Sequence, residues 1–375
     1  MPENPHQDVE PITLPDGTRA WLVTGYEAAR QALADPRLSK QVKAEELGLP
    51  PEPANAMLSM MMFRDPPDHT RLRRMISAAF TTRRIESMRP RIEQIADDLL
   101  DAIATRETVD LVETFARPLP LHVICELLGL PAEDRAEFRE YSAVVAAGQA
   151  RQHEMPAAMT AVIARIRAML ADRARHPGDD LLTALIAVHE QGDRLSTDEL
   201  TSMVAMLLIA GHETTVHLIA TGTFLLLDDR SRWHRLRADP TLLPTAIEEF
   251  IRYETPVANA THRTTTTTVT LAGHTIPPGS RVVVKLAAAN RDKSRFPDPD
   301  TLHLNRPHNP HLGFGHGPHY CLGAPLARLQ AQTAFTALMT RFPHLTLATP
   351  STQIPWRSDF QRGVTHLPVH LHGPR

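Results

Sequence analysis

Cysteine, glycine and aromatic residues are all scarce in this sequence. The 375 residues include 2 cysteines, 17 glycines and 5% aromatic residues. The two cysteines, Cys125 and Cys321, lie far apart, which excludes a disulfide framework and favours a reducing compartment. The low glycine and aromatic contents exclude collagen-like and aromatic-rich low-complexity chains.

A large excess of one charge is also missing. There are 40 Lys and Arg residues against 43 Asp and Glu, a formal net charge of −3. A general nucleic-acid-binding protein needs a basic excess to contact phosphates, so no nucleic-acid partner is expected. Residues 1–10 lack the basic start and apolar core of a signal peptide. We expect them to form a flexible extension of a cytoplasmic protein.

The longest apolar run, Met203 to Leu227, could span a bilayer by its length alone. It contains His212, Glu213, His217 and four threonines, and such side chains are costly in lipid. The run therefore predicts a buried helix and no membrane segment.

Helical periodicity extends from Asp68 to about Asp239, and β-like segments occur near both ends of the chain. The pattern predicts a mainly α fold with a minor β region. By length, two domains or one lobed domain are both open. The local predictions are a hairpin over Ile12–Val23, a helix over Tyr26–Ala34, a proline-rich loop over residues 50–67, a capped helix from Ser196 through Leu227, strand over Thr264–Thr270 and a helix over Cys321–Arg341.

The densest chemical signal is the segment Phe314–Ala324, which surrounds Cys321 with closely spaced glycines. Glycine permits tight turns and lets a flat ligand approach the backbone. A cysteine at the start of a helix favours the thiolate, which is an axial ligand of some haem irons. A structural cysteine is one alternative. Zinc is the other, with neighbouring histidines as ligands, although no CxxC or HExxH spacing is present; these histidines are His303, His308, His311, His316 and His319.

The pattern Phe314-Gly-x-Gly-x-His-x-Cys-x-Gly-Ala324 resembles the haem-binding loop of the cytochrome P450 family. The resemblance extends from Tyr26 to Pro368 and is strongest to the soluble bacterial members. It implies one domain over residues 1–375, shaped as a triangular prism, with haem b buried between a long central helix and the cysteine loop. Cys321 would ligate the iron, and Phe314, Gly315 and Gly323 would line the haem.

Ala210-Gly211-His212-Glu213-Thr214-Thr215 places an acid beside hydroxyl groups within the apolar helix. A buried acid is costly unless it serves a purpose. A polar kink or a helix-packing threonine pair is the alternative explanation. The segment resembles the oxygen-activation motif of the family, which implies that Glu213 and Thr214 are catalytic and relay protons, and that Ala210 and Gly211 contact the haem.

Several charged residues match further family positions. Glu249 and Arg252 share a helix face and, with Arg306, would brace the haem-binding core; the alternative for the isolated pair is a solvated surface. Two interpretations are open for a basic face on these helices, a solvated surface or a docking site for an acidic ferredoxin. Its members are Arg71, Arg74, Arg83 and Arg84. The resemblance implies haem-propionate contacts from His69, Arg73, Arg263 and His319.

The implied function is a monooxygenase that uses dioxygen and receives electrons from a ferredoxin and its reductase. It would hydroxylate a small organic molecule in bacterial secondary metabolism. Oxidative coupling or ring formation, a non-catalytic haem-binding protein and a zinc protein are the alternatives. By position, the candidate substrate-pocket residues are Met61, Met62, Phe63, Met206, Val257, Asn259, Phe360 and Gln361.

Overall fold

The computed structural model describes residues 8–43, 51–130, 153–190, 195–358 and 361–373, together with residues 138, 140, 141, 144 and 151. Helices dominate the described residues and the strands form small sheets, which confirms the mainly α prediction. The helices are α1 Tyr26–Ala34, α2 Pro51–Leu58, α3 Asp68–Ala79, α4 Thr82–Ser87, α5 Arg89–Asp101, α6 Pro118–Leu127, α7 Met155–Arg175, α8 Leu181–Glu190, α9 Thr197–Ala210, α10 Glu213–Asp228, α11 Arg230–Ala238, α12 Leu243–Tyr253, α13 Leu286–Ala289 and α14 Ala324–Arg341. The strands are β1 Val9–Thr13, β2 Arg19–Val23, β3 Leu38–Ser39, β4 Thr108–Asp110, β5 Arg263–Thr265, β6 Val269–Leu271, β7 His274–Ile276, β8 Arg281–Val284, β9 Thr346–Leu347, β10 Trp356–Ser358, β11 Arg362–Val364 and β12 Pro368–His370.

The chain divides into two compact units, each built from separate stretches of sequence. The sheet-bearing unit comprises Met1–Lys40, Ala96–Ala116 and Thr214–Arg375, and it holds all the strands β1 to β12. The helical unit comprises Gln41–Ile95 and Arg117–Glu213, and no strand occurs among the residues of it that the structure describes. One domain over residues 1–375 remains a prediction.

The largest sheet has five strands in the order β1-β2-β8-β5-β3. Its first two strands form the predicted hairpin, in which Val9 pairs with Val23 and Thr13 with Arg19. Gly17 has φ +81° in the connecting turn, a conformation that glycine adopts without strain. The alanine-rich face of α1 packs on this sheet within a common core. Because Tyr26 donates from its hydroxyl to the carbonyl of Pro310 at 2.6 Å, the same core also anchors the chain that leads to Cys321.

Two local predictions near the N-terminal end were wrong. The segment predicted as a proline-rich loop contains α2 and a short 3-10 turn at Met61–Phe63. Its first prolines lie in the first helical turn, where a missing N–H costs no hydrogen bond. Of the predicted flexible extension, Val9 and Glu10 lie in β1, whereas residues 1–7 are outside the described residues.

Three further boundaries differ from the sequence prediction. The predicted strand Thr264–Thr270 is divided, because β5 ends at Thr265 and β6 begins only at Val269. The C-terminal helix begins at Ala324, three residues after Cys321, with Gly323 as its N-cap and a proline in its first turn. The long apolar helix is interrupted between α9 and α10, because Gly211 caps α9.

The apolar run itself is buried, as predicted. Ser196 forms the predicted capping box with Glu199 at the start of α9. The stretch Thr197–Asp228 is long and apolar enough to cross a membrane, but 78% of its most apolar window is buried within the protein. This burial agrees with a role in the core.

Candidate functional site

The cysteine loop, residues 314–323, forms a tight turn directly before α14. Gly315 and Gly317 have φ of +75° and +72°, so both need glycine. A Cβ on Gly317 would lie 3.0 Å from Cα of Ala34, which shows how closely the loop packs on α1. The N–H of Cys321 donates to the carbonyl of Phe314 at 2.8 Å and closes the turn.

The two cysteines differ in burial. Cys321 is exposed, whereas Cys125 is buried in α6. A Cβ on Gly323 would lie 3.8 Å from Sγ of Cys321, an ordinary contact distance, so the backbone at Gly323 lies beside the sulfur. An exposed cysteine on a glycine-rich turn just before a helix suits a soft metal ligand beside a flat cofactor.

A half-buried ionic network that the sequence analysis missed supports the loop. Arg328 donates to both oxygens of Glu248, at 2.7 and 2.8 Å, and its guanidinium lies over the ring of Phe314, 4.5 Å from the centroid. Nε2 of His311 lies 3.0 Å from the Glu248 carboxylate, and Nδ1 accepts the N–H of Gly313 at 3.1 Å. Because Nδ1 accepts, the ring proton is on Nε2 and donates to Glu248. The network thus joins α12 and α14 to the start of the loop.

Glu248 is ionised within this network. Burial alone would raise its pKa, but the hydrogen bonds from Arg328 and His311 outweigh burial and lower the pKa of Glu248 to about 2. Its negative charge is therefore constant at physiological pH and holds the Arg328 guanidinium against the loop.

The histidines around Cys321 do not gather into a zinc site. His311 is committed to Glu248 and the loop backbone, and Nε2 of His308 lies 2.8 Å from Arg295. Across the described ranges, no group of three or more histidine, cysteine or acidic side chains could hold a metal ion. The donor set therefore favours a single thiolate ligand over tetrahedral zinc.

Glu249, Arg252 and Arg306, predicted to brace the haem-binding core, form a buried triad. Glu249 accepts two hydrogen bonds from Arg252 at 2.8 Å and one from Arg306 at 2.9 Å. Burial would raise the pKa of Glu249, but the hydrogen bonds from the two arginines lower it overall. The arginines also donate to carbonyls of the chain between α13 and the cysteine loop, at Asn290, Pro297 and Pro299. The alternative of a solvated surface pair is wrong.

The acid–alcohol segment, residues 210–215, spans the end of α9 and the start of α10. Its acid, Glu213, has a partner that the sequence analysis missed. Both carboxylate oxygens of Glu213 accept from the same terminal nitrogen of Arg117, at 3.0 and 3.1 Å. The Glu213 side chain is 2% exposed and that of Arg117 is 19% exposed. A signal existed, because Arg117 directly precedes the apolar helix α6, and a charge at that position needs a partner. The pair fixes the orientation of the Glu213 carboxylate.

His212 is buried beside this pair, with Nε2 3.7 Å from a carboxylate oxygen of Glu213. Burial, aided by the charge of Arg117, lowers the pKa of His212 to about 3. His212 is therefore neutral in the folded protein under all but strongly acidic conditions.

This burial predicts a loss of stability in acid. The unfolded chain takes up a proton at His212 below its ordinary pKa of 6.5, whereas the folded chain does so only near 3. The free energy of unfolding should therefore fall by about 1.4 kcal/mol per pH unit below 6.5. Between pH 6.5 and pH 5, the free energy of unfolding of His212→Asn should fall by about 2 kcal/mol less than that of the wild type, measured by urea denaturation. His234→Asn, at an exposed position, is the control; an equal change in both variants would contradict the prediction.

The four predicted propionate contacts lie in pairs within the two units. His69 is buried in α3, and Arg73 follows it one turn later. In the sheet-bearing unit, Arg263 is buried in β5 and donates to the carbonyl of Thr261 at 3.0 Å. His319 ends the 3-10 turn Gly317–His319, just before Cys321. Their binding of propionates remains a prediction.

The predicted basic face is less uniform than its sequence suggests. Arg71 forms an ion pair with Glu199, the capping residue of α9, so its charge is used within the helical unit. Arg74 and Arg83 are exposed and Arg84 is half-buried.

The candidate pocket residues are partly brought together. Met61 and Met206 are buried in the helical unit, and Met62 and Phe63 are half-buried there. In the sheet-bearing unit, Val257 and Gln361 form an antiparallel bridge, and Asn259 is half-buried two residues further on. Phe360 lies outside the described residues.

Known proteins resemble this chain over nearly its full length. The family model described as Cytochrome P450 matches residues 148–368. "Cytochrome P450 107B1" of Saccharopolyspora erythraea is 46% identical over 98% of this chain and 93% of its own length. "6-deoxyerythronolide B hydroxylase" of the same organism is 44% identical over 95% of this chain and 91% of its own length.

A solved structure extends the similarity to three dimensions. The cytochrome P450 PksS of the bacillaene polyketide synthase of Bacillus subtilis superimposes with a TM-score of 0.90 at 38% identity. The match covers 97% of this chain and 94% of that chain.

Proposed function

The chain belongs to the cytochrome P450 family, and we propose that it hydroxylates a polyketide-type small molecule in bacterial secondary metabolism. Members of the family are haem-thiolate monooxygenases, so the chain uses haem b, dioxygen and an organic substrate. Similarity to a hydroxylase and to a polyketide-synthase enzyme supports the substrate class. The observation that carries the assignment to this site is the position of Cys321, an exposed residue on a glycine turn that directly precedes α14.

The residues of this chain fit the cofactor. In the proposed site, Cys321 would ligate the iron, Phe314 would pack against the flat ring, and Gly315 and Gly323 would leave room for it. His69, Arg73, Arg263 and His319 would neutralise the propionates, and Ala210 and Gly211 would contact the haem. Haem b held by a thiolate supplies dioxygen activation, because electron density from the sulfur favours O–O cleavage.

Glu213 and Thr214 would manage the protons that the reaction consumes. The Glu213 carboxylate is buried, while its partner Arg117 is partly exposed. The ion pair therefore holds the Glu213 carboxylate in place beside the Arg117 guanidinium, which reaches solvent. In the proposed mechanism the Glu213 carboxylate would take up protons and the Thr214 hydroxyl would pass them towards the haem site.

Electrons would come from a ferredoxin and its reductase, and the reaction would take place in the cytoplasm. Arg74 and Arg83 are exposed on neighbouring helices of the helical unit. Their charge supports docking of an acidic electron-transfer protein, which steering by opposite charge would accelerate.

Turnover with a panel of macrolactones, driven by a surrogate ferredoxin and reductase, tests this function. We expect a product one oxygen atom heavier than its substrate. A product that lacks two hydrogens and gains no oxygen would instead indicate oxidative coupling. A protein that binds haem, but is not reduced by the partner and converts no member of the panel, would favour a non-catalytic haem protein.

The same assay tests the role of Arg117. Arg117→Met should lower the rate of product formation roughly tenfold and shift its pH profile, because general acid–base groups contribute on the order of 100-fold and lose part of this when misplaced. Arg91→Met is the matched control, since Arg91 pairs with Glu126 at 3.1 Å in the same unit but is 46% exposed. Equal rates in the two variants would contradict a proton-relay role for the pair.

A further inference from the structure

The hairpin β10–β11 lies against one face of α10. Thr221 accepts the N–H of Val364 on its hydroxyl oxygen at 3.2 Å. The ring of Phe224 meets Trp356 edge-on, with centroids 5.4 Å apart. Thr221 and Phe224 follow His217 at helical spacing, so the three residues share one face of the helix.

His217 and Gly363 form the closest approach between the helix and the hairpin. A Cβ on Gly363 would lie 2.5 Å from Nδ1 and 2.8 Å from Cγ of His217. His217 is buried, 3% exposed, so its ring has little space into which it could move. Glycine in a strand is typical where another group approaches the backbone closely. The hairpin can therefore occupy this position because residue 363 lacks a side chain.

The hairpin also holds the chain that follows α12, through the same edge of β11 that contacts Thr221. The N–H of Arg362 donates to the carbonyl of Pro256 at 2.9 Å, and its guanidinium binds Glu254 at 2.5 Å. Gln361 and Val257 form the bridge between the two segments. Any displacement of β11 from α10 therefore moves Val257 and Gln361, two candidate pocket residues, as well.

We propose that His217 and Gly363 are a matched pair that determines which substrates the enzyme accepts. They act as positioning residues, because their contact sets the distance of Gln361 and Val257 from α10. This inference rests on the proposed function. The size of His217 and the absence of a side chain at residue 363 are complementary, so a change in one can be offset by a change in the other.

A double-mutant cycle with Gly363→Ala, His217→Ala and the double variant tests the pair. Hydrogen exchange of the Arg362 and Val364 amides reports the hairpin position without any turnover. We expect Gly363→Ala to accelerate their exchange about tenfold and the double variant to recover most of the wild-type protection. The recovery is not complete because the Cβ of residue 217, which alanine keeps, would lie 2.9 Å from the added Cβ. Thr221→Val, which removes the acceptor for Val364, should accelerate exchange at Val364 and provides a second route should Gly363→Ala fail to fold. Independent, additive effects in the cycle, or unchanged exchange at Val364 in Thr221→Val, would overturn the pair.

Azole binding to the haem-loaded protein tests the consequence for specificity. Clotrimazole is bulky and imidazole is small, yet both bind through an azole nitrogen. We expect Gly363→Ala to change the Kd of clotrimazole about tenfold and the double variant to restore it, because a ligand that fills the pocket is sensitive to displacement of a pocket wall by about 1 Å. The Kd of imidazole should change less than about twofold, because imidazole does not fill the pocket. Rescued exchange with unchanged clotrimazole binding would overturn the specificity role. Failure of the wild type to bind either azole would instead refute the proposed function.

Discussion

Replacing Cys321 with serine should abolish the strongly red-shifted Soret band that the reduced, carbon monoxide-treated wild-type protein is expected to show. The band requires a thiolate on the iron, and serine removes the sulfur while preserving the size and turn geometry of the loop. Monooxygenase turnover should fall below detection in the same variant. The measurement is a reduced-carbon monoxide difference spectrum, recorded at equal haem content for the two proteins.

Cys125→Ala is the matched control, because Cys125 is the other cysteine and is buried in α6. It should retain the red-shifted band, with a modest loss of stability from the missing sulfur. A red-shifted band that survives in Cys321→Ser would contradict thiolate ligation by Cys321. Loss of the band in Cys125→Ala, with haem content unchanged, would contradict the assignment equally.

The cysteine loop and the acid–alcohol segment could be recognised from sequence because their residues are close neighbours along the chain. Their supports could not. Arg117 lies 96 residues from Glu213, and His311 and Arg328 lie 63 and 80 residues from Glu248. Periodicity gives no pairing between such distant positions, so these contacts emerge only from the folded chain.

The fold shows the same division between local and tertiary determinants. Periodicity located α1 and the start of α9, where Ser196 provides a cap. It missed α2, since proline was interpreted as a breaker and not as a first-turn residue. It also missed the end of α9 at Gly211, because a single glycine in an apolar run does not by itself show where a helix ends.

Replacing Arg252 with methionine should destabilise the haem-loaded protein by about 3–5 kcal/mol. The change removes one partner of a fully buried ion pair and leaves Glu249 with an incompletely balanced charge. It also leaves the carbonyls of Asn290 and Pro299 without their arginine donor. The measurement is the urea midpoint followed by tryptophan fluorescence. If Arg252→Met does not fold, the milder Arg306→Met, which leaves the Arg252–Glu249 pair intact, replaces it.

Burial, and not the ion pair itself, is the cause of this large effect, and the chain contains a pair that separates the two. Arg89 and Glu86 have the same i,i+3 spacing and the same 2.8 Å distance as Arg252 and Glu249, but their side chains are 40% and 53% exposed against 0% for both members of the buried pair. Water screens the exposed pair, so Arg89→Met should cost less than about 1 kcal/mol. Similar costs for the two substitutions would mean that the triad does not brace the core.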